Sequence, residues 1–128
     1  MPAVPLPFRR AAFLLFAVML FTATHWPALK IAGPVPRTDL WLHVSAFTTW
    51  TVLFGFAEFI GPWRDRTTPL RLIACGIVYA AMDELTQAIP VLNRFATIED
   101  YMANVVGVFF GATIVTIAAR TTKAPADA

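Results

Sequence analysis

The stretch YMANVVGVFFGATIVTIAA, residues 101–119, contains no Lys, Arg, Asp or Glu. Crossing the hydrocarbon of a bilayer takes about 20 mostly apolar residues. By length and composition this stretch reads as a membrane span. Working outward, residues 11–29 and 40–57 are also free of those four residue types. A fourth stretch, Leu72 to Pro90, is apolar as far as Met82 and then meets Asp83, Glu84 and Gln87. The whole 128-residue chain agrees: 58% of it is hydrophobic and 14% charged. An ordinary soluble domain is about 25% charged. Mean hydropathy is +0.65. That balance excludes a disordered tail, a nucleic-acid module and most soluble enzymes of this size.

The expected fold is all-α. One domain, 1–128, forms a four-helix transmembrane bundle with helices at about 9–26, 40–60, 70–89 and 101–119. The short linkers hold most prolines: Pro27, Pro34, Pro36, Pro62, Pro69 and Pro90. Proline suits element ends because it has no N–H to donate. Cationic residues set the orientation. With the N-terminus inside, the cytoplasmic side carries Arg9, Arg10, Arg64, Arg66, Arg71, Arg120 and Lys123. The outside carries Lys30, Arg37 and Arg94. The first set is larger, so both termini are expected in the cytoplasm. The net charge of +2 then reflects this bias and attraction to anionic lipid heads. Trp26, Trp41 and Tyr101 fall near outer ends and Trp63 near an inner end, as interfacial anchors do. Helix 1 is read as a retained span. Its apolar run is long for a signal peptide, and no small-x-small cleavage site follows. A single cysteine, Cys75, allows no intrachain disulfide.

Polar residues inside such helices are costly and mark function by default. Here they cluster. His43 lies one turn after Asp39 at the head of helix 2. Asp83, Glu84 and Gln87 occupy the last turns of helix 3. Asp100 and Asn104 open helix 4, and Arg94 lies in the preceding loop. At 1.5 Å per residue, Asp83 sits roughly 10 Å inside the outer end, and His43 and Asn104 about 5–6 Å inside. Three helices thus place polar groups at one level of the outer leaflet. The inner half offers Glu58, expected to pair with Arg64 and Arg66 or to face solvent. Gly107 and Gly111 form a flat stripe for close helix packing, which suggests that helix 4 is central. His25 beside Trp26 reads as an interfacial residue.

The series Asp83-Glu84-x-x-Gln87, Arg94, Asp100-x-x-x-Asn104-x-x-Gly107-x-x-x-Gly111 resembles the VanZ-like family of small bacterial membrane proteins. Asp39-x-x-x-His43 matches that family's first motif. The resemblance spans about 39 to 111. Relatives often carry Lys after the Asp, where this chain has Leu40. The resemblance implies a multi-pass protein of the bacterial plasma (inner) membrane. The family is linked to low-level teicoplanin resistance, without an established biochemical mechanism.

Three readings of the cluster stand side by side. In the first, it binds or acts on an envelope lipid or glycopeptide, with membrane lipids as partners. Arg94 then receives an anionic lipid or peptide group. In the second, it is a metal-assisted hydrolase or transferase with His43, Glu84 and Asp100 as catalytic groups. Asp39, Asp83, Gln87 and Asn104 complete the ligand or network set. A divalent cation is compatible with the donors: oxygen-rich ligation suits Mg, Ca or Mn, and histidine admits Zn. In that reading His43, oriented by Asp39, is a base and Glu84 an acid. In the third, polar side chains satisfy one another and hold the helices in register. The helix 4 glycines then dock a homo-oligomer or a larger envelope protein. No phosphate-cradling loop, paired CxxC or HExxH is present, and no nucleic-acid partner is expected.

Overall fold

The computed structural model describes residues 4–27, 33, 35–92 and 96–122. Among them are four α-helices and no strand: α1 (Leu6–Thr24), α2 (Thr38–Ala57), α3 (Thr68–Gln87) and α4 (Ile98–Thr121), with a 3-10 turn at Pro90–Leu92. Helices α1, α2 and α4 are long and apolar enough to cross a membrane. Helix α3 is as long as α2 but carries Arg71, Asp83 and Glu84.

The helix ends differ from the expected limits for local reasons. Helix α1 starts at Leu6 because Pro5 and Pro7 preset its first turn. Helix α4 starts at Ile98 because the Thr97 hydroxyl accepts from Asp100 N at 3.0 Å. Acidic Glu99 and Asp100 follow in its first turn and Arg120 lies in its last, the arrangement that suits the helix dipole. Helix α2 stops at Ala57, short of the expected 60. Its C-cap, Glu58, turns left-handed at φ 56. A non-glycine residue there is strained. The Glu58 carboxylate is tied 3.1 Å from Arg9 Nη1, which corrects the expected pairing with Arg64 and Arg66.

Helices α2 and α4 make the tightest contact. A Cβ on Gly107 would lie 2.5 Å from Val44 O, and one on Gly111 2.5 Å from Thr51 Cβ. Neither fits, so the glycine stripe is what lets the two backbones meet. Both glycines are buried against α2 of the same chain. A second copy reaching them would have to displace that helix. The Thr48 hydroxyl lies in the same seam, 2.7 Å from Val44 O and 3.1 Å from Gly107 O.

Helix α3 packs on α4 through Gly76 against Val108. Helix α1 joins through an aromatic cluster. Phe13 meets Trp50 edge-on, and Trp50 stacks on Tyr79 at 4.7 Å. Phe8 and Phe21 of α1 face outward.

Candidate functional site

Four helices place polar side chains at one end of the bundle. On α3 the neighbours Asp83 and Glu84 point to different partners. Asp83 serves α1: its Oδ1 accepts from Thr24 Oγ1 at 2.9 Å. Its Oδ2 accepts from Gln87 Nε2 at 2.8 Å. Glu84 serves α4: its Oε1 accepts from Asn104 Nδ2 at 3.1 Å. All four of Asp83, Glu84, Gln87 and Asn104 are buried.

Asn104 carries the chain of contacts on to α2. With its amide nitrogen committed to Glu84, its Oδ1 accepts from His43 Nδ1 at 2.8 Å. That fixes the proton on Nδ1 and leaves Nε2 as the free ring nitrogen. Nε2 faces Asp100 Oδ1 at 3.9 Å, beyond a direct hydrogen bond and close enough for one shared hydroxyl or water. At the other end of the chain, Glu84 Oε2 is buried and makes no hydrogen bond in full geometry among the described residues, and the backbone N–H of Thr97 is the donor that faces its carboxyl group.

The structure therefore brings His43, Glu84, Asp100, Asp83, Gln87 and Asn104 together. Asp39 stays outside. Its half-exposed carboxylate lies 3.8 Å from Arg37 Nε, and Arg37 donates to Glu99 at 2.8 Å. That hydrogen bond, with the charge of Glu99, raises the Arg37 pKa. Asn104, and not Asp39, orients His43: the tertiary contact replaces the expected i, i+4 pair. Arg94 lies outside the described residues.

Three members escaped sequence reading: Thr24, His25 and Thr86. His25 was expected at the interface. Its ring instead stacks on Phe21 at 4.0 Å. Its Nε2 lies 2.8 Å from Thr86 Oγ1 and its Nδ1 3.9 Å from Asp83 Oδ1. The available signal was its place near the end of helix 1, the same end of the bundle as Asp83 and Glu84.

Among the described residues, no three His, Cys, Asp or Glu side chains converge on a point that holds a metal ion. What does converge is a groove of about 430 Å³ between α1 and α2. Met19, Leu20, Leu42 and Ala46 make its walls, and Thr24, His43, Ser45 and Thr49 are its polar contacts. Ligand sites are typically such apolar clefts with a few placed polar groups.

No family model matches the chain, and no curated protein or solved structure does.

Proposed function

We propose that the chain is a VanZ-like, four-span bundle of the bacterial plasma membrane with both termini cytoplasmic. Its polar cluster lies in the outer leaflet and binds or acts on an envelope lipid or glycopeptide. One observation carries this reading. Glu84, Asn104, His43 and Asp100 line up across α3, α4 and α2: hydrogen bonds join the first three, and His43 Nε2 faces Asp100 at 3.9 Å with no direct hydrogen bond among the described residues. Most buried polar groups spend their hydrogen bonds inside the protein; His43 Nε2 makes no direct hydrogen bond among the described residues, so a ring nitrogen is left for a ligand.

The chemistry follows from that layout. Asn104 holds the His43 tautomer, so Nε2 can accept a proton or hydrogen bond from a ligand hydroxyl. Asp100 stabilises the charge that His43 gains. The α1–α2 groove, at the level of hydrocarbon in a four-span bundle, gives a lipid-borne substrate an apolar approach to His43. Helix α3 crosses the membrane despite its carboxylates because they face the bundle and not lipid.

The test uses a lipid-linked peptidoglycan precursor in nanodiscs with wild type and His43→Asn. Asparagine keeps a donor near the Nδ1 position and deletes Nε2. Binding or turnover by wild type alone, with both proteins folded, supports the reading. Equal behaviour of the two proteins, or none in either, contradicts it.

A further inference from the structure

The opposite end of the bundle holds two cavities that run into each other. One, of about 560 Å³, is basic: Arg64, Arg66 and Arg120 line it together with Trp63 and Asp65. The second, of about 210 Å³, is a groove between α3 and α4, with Ile73, Phe109, Thr113 and Ile117 on its walls. Pro69, Thr116 and Arg120 belong to both. A charged chamber thus opens directly into an apolar channel along the membrane-spanning face of α4.

The charges of the chamber are placed for an outside partner. Arg66 and Arg120 are exposed and have no hydrogen bond or ion pair among the described residues. Arg64 lies over the Trp63 ring at 4.8 Å. The one acidic group that lines it among the described residues is already engaged. Asp65 Oδ1 accepts from Thr67 N at 2.9 Å and from Thr67 Oγ1 at 3.1 Å. Those bonds hold its carboxyl below the usual range, so it stays anionic and closes the turn into α3. Among the described residues, Arg66 and Arg120 against the single Asp65 carboxylate leave the chamber positive. Trp63 beside them is the ring type that anchors at the headgroup level.

We propose that this composite cavity is a binding site for an anionic phospholipid. The phosphodiester sits between Arg66 and Arg120, and one acyl chain lies along the α3–α4 groove. Guanidinium groups bind phosphate through paired N–H donors. Basic pockets between membrane helices are suited to anionic headgroups. A soluble phosphate fills only the charged chamber, whereas a phospholipid fills both cavities. The site is separate from the polar cluster around His43 and stands whether or not that cluster has the proposed role.

Native mass spectrometry of the detergent-purified protein tests this, with phosphatidylglycerol, phosphatidylcholine and glycerol phosphate as probes. The account expects a phosphatidylglycerol adduct, a much weaker phosphatidylcholine adduct, and no displacement by glycerol phosphate. Arg66→Gln with Arg120→Gln should weaken the adduct about 30-fold, the effect of two interfacial cations. Thr113→Phe, which fills the channel and leaves the charges, should weaken it as well. Arg10→Gln removes a cation of the same end outside the chamber and should leave the adduct intact. Undiminished binding in the double variant, or equal loss in Arg10→Gln, overturns the site. Displacement by glycerol phosphate, or full binding to Thr113→Phe, overturns the lipid assignment in favour of a plain phosphate pocket.

Discussion

The two ends of the bundle handle charge in opposite ways. At the Arg9 end, half-buried Arg9 and Arg10 and exposed Arg71 serve the backbone. Arg9 Nη1 donates to Phe56 O at 2.9 Å, Arg10 Nε to Ala57 O at 3.2 Å, and Arg71 Nη1 to Ile60 O at 2.9 Å. They satisfy the carbonyls left open where α2 stops and meet the negative end of its dipole. At the His43 end the carboxylates of Asp83 and Glu84 are buried, and side chains bond side chains across helices. The first arrangement leaves its groups partly in contact with water, although Arg9 Nε is itself buried without a partner. The second takes two carboxylates out of water. That difference separates charges that finish a helix from charges that tie helices to one another.

Removing a member of the buried chain should have the largest effect. Asn104→Ala strands both Glu84 and His43. It should lower stability by about 2–4 kcal/mol in detergent unfolding, since two buried groups lose partners. Asp83→Ala should follow at about 2 kcal/mol, because only Thr24 and Gln87 are released. Gly107→Ala probes the seam between the two ends. Its Cβ meets Val44 O, so about 1–3 kcal/mol should be lost through forced separation of α2 and α4. If Asn104→Ala melts like wild type, the polar chain is not formed and the comparison fails.

The Arg9 end should respond weakly. Arg9→Gln should cost about 1 kcal/mol or less, and the cost should shrink with added salt. The smallest effect concerns Asp65. Its folded pKa is depressed by the Thr67 bonds. Its contribution is therefore present above the ordinary carboxyl pKa and lost as pH falls through the depressed one. Melting curves of wild type and Asp65→Asn should differ near neutral pH and converge at acid pH. A gap that widens on acidification would mean that the Thr67 bonds do not favour the carboxylate.

Much of this was legible in the sequence because it is a matter of composition. Charge-free runs located α1, α2 and α4, and polar residues inside apolar segments singled out His43, Asp83, Glu84, Gln87 and Asn104. Packing direction was legible at Gly107 and Gly111 because glycine spacing is itself a shape. Long-range partners were not. His43 bonds Asn104 across 61 positions and Arg9 meets Glu58 across 49. Local spacing instead favoured Asp39 and Arg64. Thr24 and Thr86 were hidden for another reason. A helical threonine readily bonds the carbonyl one turn back, as Thr22, Thr49 and Thr113 do. Nothing in the chain order marks the Thr24 that bonds a carboxylate.

The central claim is that the buried chain is kept for a ligand and not for stability alone. Glu84→Gln tests it most directly, because it removes the charge and keeps the shape. Two readouts on one preparation are needed: the melting temperature, and binding of a lipid-linked envelope precursor in nanodiscs. The account predicts that binding is lost while the melting temperature stays within a few degrees of wild type. A collapse of the melting temperature, or binding equal to wild type, would contradict it.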